Sequence, residues 1–147
     1  MKKTGVQLIS MKKEDIPIVA SYFLKAFGPD GFGEPWSIKT SRKHLEEIFD
    51  PEYSFVAKLE EKVVGAVVGF PATYEHGTEI FIDTWVVMKD FRGKGIGTDL
   101  WERAIENAKE KDLVGVRLVG SARLRSFFWY KEKGLKESGW IELTRKL

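Results

Sequence analysis

The sequence predicts a mixed α/β fold, and three observations carry that prediction. Short apolar runs of strand length alternate with stretches whose apolar residues recur every three or four positions, as one helix face does. One run, Val86-Val87-Met88, leads through a glycine-rich turn, Gly93-Lys94-Gly95-Ile96-Gly97, into an amphipathic segment. With 147 residues and 43% hydrophobic content, the chain reads as a single domain over 1–147 that can bury roughly 70% of its unfolded surface.

Each element has its own justification. Val6 to Ser10 reads as a first short strand. Ile16, Val19, Ala20, Phe23 and Phe27 then mark one face of a helix that Gly28 stops. Gly and Pro density makes Gly28 to Trp36 a loop, and its aromatics Phe32 and Trp36 are unusual there. Ser37 to Phe49 forms a second helix with Leu45, Ile48 and Phe49 inward, ended by Asp50-Pro51. Strands Tyr53 to Leu59 and Val63 to Tyr74 flank the polar turn Glu60-Glu61-Lys62, a hairpin. Glu79 to Met88 is the strand before the glycines, and Gly97 to Lys111 is a helix burying Leu100, Trp101, Ala104, Ile105 and Ala108. Val114 to Val119 is a buried strand, Leu124 to Lys133 a helix, and Leu135 to Leu147 closing strand material with a turn at Ser138-Gly139.

The glycine turn is the chemically informative segment. Glycines let a backbone approach a ligand closely, and a helix N-terminus adds unpaired N–H groups and partial positive charge, so the turn is an anion cradle. A magnesium-binding P-loop needs Ser or Thr after Gly-Lys, whereas Gly95 follows Gly93-Lys94. A dinucleotide fingerprint needs two residues between its last glycines, but Ile96 alone separates Gly95 from Gly97, and Val114 to Val119 offers no acidic residue. The spacing that remains is Arg92-x-x-Gly95-x-Gly97. A second motif follows, Ser126-Phe127-Phe128-Trp129-Tyr130-Lys131-Glu132-Lys133-Gly134-Leu135.

Together these two motifs resemble the acetyl-CoA loop and closing helix of the GNAT superfamily, the GCN5-related N-acetyltransferases, with Leu135 where phenylalanine is usual. The resemblance covers Val6 to Leu147. It implies the acyl-CoA N-acyltransferase fold: a mixed, mostly antiparallel central sheet splayed between its fourth and fifth strands and flanked by about four helices. It also implies acetyl-CoA as cosubstrate without a metal, held by Val86, Val87, Arg92, Gly93, Lys94, Gly95, Ile96, Gly97 and Thr98. Arg123 stands where the family often carries an asparagine against the pantetheine arm, so a link to a CoA phosphate becomes available instead. Only twelve residues follow Leu135, fewer than the family often has, which leaves the acceptor side more open or completed by a second subunit.

Amide formation from a thioester requires a neutral amine, a stabilised oxyanion and a proton for the departing thiolate. A lysine-type amine has a reference pKa near 10.4, so something must take its proton. Strand alternation places Glu79, Phe81, Asp83 and Trp85 on one face. The family's base falls at Phe81 by count, leaving Asp83 and Glu79 as candidates beside a reading with no carboxylate base. The resemblance makes Tyr130 the general acid, and a phenol near pKa 10 can protonate a thiolate whose conjugate acid is near 8.5. It assigns the oxyanion to the backbone N–H near Val87. His44 on a polar helix face and His76 beside Gly77 read as surface residues, while Trp36 and Phe32 are candidates for an acceptor wall, a lid or core.

Composition narrows the partners. There is no cysteine, hence no acyl-cysteine intermediate and no cysteine-based metal site. A net charge of +2 with 31% charged residues of both signs argues against a dedicated nucleic-acid binder. No apolar run follows Met1-Lys2-Lys3-Thr4, and Val63 to Phe70 is too short to span a bilayer, so the expectation is a cytoplasmic protein away from membranes. The reading is an N-acetyltransferase with a small-molecule or peptide amine acceptor, acting by direct attack. Gly115-Val116-Arg117-Leu118 lacks the acid expected of ribosomal-protein N-terminal acetyltransferases, which weighs against a peptide. The competing reading is an acyl-CoA sensor without catalysis, which would keep Arg92, Gly95 and Gly97 without needing Tyr130.

Overall fold

The computed structural model describes residues 5–121 and 124–147. Within them five strands form one sheet in sequence order: β1 (Gln7–Ser10), β2 (Phe55–Leu59), β3 (Lys62–Tyr74), β4 (Gly77–Val87) and β5 (Gly115–Arg117). Strands β1 to β4 pair antiparallel, whereas β4 runs parallel to β5. Four α-helices accompany them: α1 (Ile16–Phe27), α2 (Ile38–Ile48), α3 (Ile96–Glu110) and α4 (Arg125–Glu132). The mixed, mostly antiparallel sheet with four flanking helices is the one the sequence predicts.

Apolar periodicity decides which face each helix covers. Val19, Ala20 and Phe23 of α1 and Leu45 of α2 pack with Val56, Ala66, Val68 and Val86 on one side of the sheet. Leu100, Trp101, Ala104 and Ala108 of α3 pack with Phe55, Val64, Val67, Ile80 and Ile82 on the other. Each fully buried aliphatic or aromatic side chain contributes about 1.5–3 kcal/mol, so the two layers hold the sheet between them. The helices are also pinned by polar bonds. Tyr22 Oη donates to the Val63 carbonyl at 2.7 Å, and the Asn107 side-chain amide donates to the Glu52 carbonyl at 2.9 Å. Helix α2 starts at a reciprocal cap, with Thr40 N donating to Ser37 Oγ at 3.1 Å and Ser37 N to Thr40 Oγ1 at 3.0 Å.

A bulge in β4 reverses its faces midway. Val68 opposes Thr84, but the next β3 residue, Gly69, opposes Ile82, so Asp83 is the extra residue. Ile80 and Ile82 face α3 before the bulge, Trp85 and Val87 face α3 after it, and Val86 joins the α1/α2 layer. Simple alternation therefore fails here: Trp85 lies on the face opposite Asp83. Gly69 permits the slip, because a Cβ there would come within 2.6 Å of the Phe81 carbonyl oxygen.

Strands β4 and β5 pair only at Glu79↔Gly115, Ile80↔Val116 and Phe81↔Arg117. From Ile82 to Val87, β4 has no β5 partner, and the sheet is splayed between its fourth and fifth strands as expected. The expected closing strand over Leu135 to Leu147 is not formed. Strand β5 ends at Arg117 rather than Val119, leaving a three-residue edge too short to template a ladder. Trp140 and Leu143 are accordingly 86% and 90% exposed.

Candidate active site

The glycine turn has the backbone its composition implies. Gly93 and Gly95 sit at φ +76° and +87°, a region costly for residues with a Cβ. Gly95 caps α3, so the first N–H groups of the helix face outward without intrahelical acceptors. Gly97 lies in the first helical turn, where a Cβ would meet only ordinary contacts, Val87 Cγ2 at 3.7 Å and Trp85 Nε1 at 3.8 Å. A Cβ at Gly93 would meet nothing within 4 Å, so the space before the turn is open to a ligand. Arg92 folds back, its Nε donating to the Val87 carbonyl at 2.9 Å and leaving the guanidinium at the rim.

This turn forms one wall of a cleft of about 390 Å³, lined by Arg92, Gly93, Gly95, Ile96, Gly97 and Thr98. Facing them are Trp85 and Val87 from the unpaired stretch of β4, Phe91, and Ser126, Trp129 and Tyr130 from α4. Trp85 organises this wall. Its ring lies 4.0 Å from Trp129 and 5.9 Å from Tyr130 between centroids, and its Nε1 donates to the Gly97 carbonyl at 3.0 Å. Burial raises the Tyr130 pKa above the usual phenol value, partly opposed by a hydrogen bond with Ser126. The phenol is therefore held protonated at neutral pH, as a proton donor must be.

The carboxylates lie outside this cleft. Asp83 sits two residues past the last β4–β5 pair, on the α1/α2 side. Its Oδ1 accepts from His44 Nε2 at 2.7 Å and from Thr84 Oγ1 at 2.9 Å. Glu79 lies four residues earlier, at the paired end of β4, where Arg117 binds it at 2.8 Å and His76 Nε2 stands 3.4 Å away. Against its expected surface role, His44 is half-buried, with Phe23 and Trp36 5.6 and 5.2 Å from its ring. Its pKa is raised, mainly by the hydrogen bond to Asp83, against an opposing desolvation and with help from the charges of Asp83 and Glu47.

Of the residues singled out for acetyl-CoA, Val87, Arg92, Gly93, Gly95, Ile96, Gly97 and Thr98 line the cleft together with Tyr130. Val86 is buried in the opposite layer, Lys94 lies beside the turn with its Nζ 5.3 Å from the Phe91 ring centre, and Arg123 falls outside the described residues. Sequence reasoning missed Trp85 and Trp129 as walls and His44 as the partner of Asp83. The aromatic residues flanking both motifs were the available signal for the walls; for His44, 39 positions from its partner, there was none.

Comparison with known proteins agrees with this architecture. Residues 20–135 match the acetyltransferase (GNAT) family. An uncharacterized N-acetyltransferase of Methanocaldococcus jannaschii is 38% identical over 74 residues, 47% of this chain and 30% of that protein, so the chain matches less than a third of that relative's length. A predicted acetyltransferase from Clostridium acetobutylicum, crystallised with acetyl-CoA, superposes with a TM-score of 0.75 at 18% identity, covering 95% of this chain and 96% of the other. An aminoglycoside acetyltransferase from an uncultured soil metagenomic sample gives 0.74 at 19% identity, covering 97% of both chains. Both structures share the fold, and the family match over most of the chain, on a splayed sheet with a glycine cradle at its opening, makes this protein a member of the GNAT acetyltransferase family.

Proposed function

We propose that the protein transfers an acetyl group from acetyl-CoA to a primary amine by direct attack, without a covalent enzyme intermediate. The observation that carries this reading is a single cleft joining the Arg92 to Thr98 turn, the unpaired stretch of β4 and Tyr130. The turn and the α3 N-terminus suit a pyrophosphate, and open space before Gly93 gives it room. The resemblance to a structure holding acetyl-CoA supports that ligand for this cleft. With no cysteine in the chain, direct attack needs no thiol relay.

In this reading the backbone N–H near Val87 stabilises the oxyanion and Tyr130 protonates the leaving thiolate. The amine's proton leaves on the α1/α2 side, where Asp83 lies at the gap. Glu79 is about 13 Å further along the strand at 3.3 Å per residue, and is already engaged by Arg117. The acceptor is a small-molecule or peptide amine. The deciding experiment incubates the protein with acetyl-CoA and a panel of aliphatic, aromatic, amino-sugar and peptide amines, following free thiol. Release that depends on one amine supports transfer; tight acetyl-CoA binding with no release across the panel supports a sensor instead.

A further inference from the structure

The second face of β4 carries an arrangement that the cofactor cleft does not use. His44, from the middle of α2, meets Asp83 at the bulge with Nε2 2.7 Å from Oδ1. Phe32, Phe27, Phe23 and Trp36 form a ribbon leading to it, with successive ring centroids 5.3, 4.9 and 4.7 Å apart, and Trp36 5.2 Å from His44. Its outer end is open, since Phe32 is 52% exposed. An exposed phenylalanine leading inward to a paired, half-buried histidine is not explained by core packing alone.

Resting on the transferase reading above, we propose that His44 takes the proton of the incoming amine while Asp83 holds its ring, and that the acceptor is an amine on an apolar body lying along the aromatic ribbon. A carboxylate only accepts, so in the pair with Asp83 the hydrogen sits on Nε2 and the neutral ring presents its Nδ1 lone pair. Among the described residues Nδ1 meets no hydrogen-bond partner. Among the described residues, the charged groups facing the ring are Asp83 from β4 and Glu47 from α2 itself, while α1 and the segment after it bring the rings of Phe23 and Trp36 against it. Asp83 is thus a positioning residue, as the carboxylate is in a Ser-His-Asp triad.

The proton balance closes. The ammonium group gives one proton to His44 Nδ1, and the freed lone pair forms the N–C bond at the thioester carbonyl. The C–S bond breaks with its electron pair on sulfur, which takes the Tyr130 proton. Nitrogen's second proton restores the phenol, and His44 returns its own to solvent, one proton released per turnover.

Two measurements test this, the first without any acceptor. NMR titration of the histidine ring protons should find His44 above an ordinary histidine in the wild type and lowered in Asp83→Asn; an ordinary value indifferent to that change overturns the pairing. The second uses 2-phenylethylamine and ethanolamine with saturating acetyl-CoA. The aromatic amine should have the higher kcat/KM by at least about tenfold, and Trp36→Ser should remove that margin. His44→Gln should lower kcat roughly 10²- to 10³-fold with acetyl-CoA affinity intact, and added imidazole should restore part of the rate in His44→Ala. Turnover of His44→Gln within twofold of wild type overturns the histidine's role while leaving the transferase reading standing. Preference for ethanolamine overturns the acceptor class. Acetyl-CoA binding with no thiol release from any amine counts against the transferase reading itself, and the NMR result still decides the pairing.

Discussion

The two sides of β4 are built by different means. On the α3 side the proposed ligand surface is mostly backbone: eight contiguous residues from Phe91 to Thr98 supply glycines at positive φ and a helix N-terminus. On the α1/α2 side the surface is side chains only, drawn from α1, the following loop, α2 and the bulge of β4. A backbone surface reads a feature common to a class of ligands, in the proposed function a phosphate, and varies little with side-chain changes. A side-chain surface is where members of one fold come to differ in what they accept.

That contrast ranks the expected effects of mutation. Tyr130→Phe, which removes the proposed proton donor while keeping the ring against Trp85, should lower kcat roughly 10² to 10⁴-fold with acetyl-CoA affinity nearly unchanged. Stopped-flow turnover alongside calorimetry checks this, and an effect confined to KM would make Tyr130 a binding residue. Asp83→Asn comes next, with an expected loss of roughly tenfold to a hundredfold in kcat. A profile whose acid limb moves to lower pH identifies Asp83 as the support of His44, since losing the carboxylate lowers the histidine pKa. A loss that deepens steadily toward low pH makes Asp83 the base itself.

Smaller effects fall on stability. The folded-state pKa of His44 is raised above its ordinary 6.5, so its contribution to stability is fully present below that value and is lost as pH rises through the raised one. Thermal unfolding from pH 5 to 9 should show this decline on the α1/α2 side, and His44→Gln should flatten it. The β2–β3 hairpin offers the smallest test. Glu60 and Glu61 hold φ +47° and +70° in the two-residue turn, a conformation that suits Asn-Gly. Replacing both by Asn-Gly should raise stability by about 1 kcal/mol in urea unfolding without altering turnover.

Sequence legibility follows the same divide. Much of the local structure is readable: the strand before the glycines, the glycine spacing, the α3 stripe and the Tyr130 helix are contiguous patterns whose physics acts over a few residues. What depended on distant partners was not. The bulge at Asp83 exists because Gly69, fourteen positions earlier, lets β3 slip, and nothing around Asp83 announces it. His44 looked like a surface residue because Asp83 lies 39 positions away. The closing strand was overread because Trp140 to Leu147 has strand composition, whereas a strand also needs a partner edge, and β5 offers three residues.

In the proposed function the Arg92 to Thr98 turn holds acetyl-CoA through its main chain. Gly95→Val is a poor probe, since valine at φ +87° would strain the turn itself. Gly97 is cleaner: its conformation is helical, a Cβ meets no atom closer than 3.7 Å, and glycine there costs about 0.5–1 kcal/mol against alanine. Titration calorimetry of acetyl-CoA into wild type, Gly97→Ala and Gly97→Val should show affinity falling with side-chain size, at least tenfold for valine, while Gly97→Ala melts at or above the wild-type temperature. Undiminished affinity in a well-folded Gly97→Val would contradict the account and place the cofactor elsewhere.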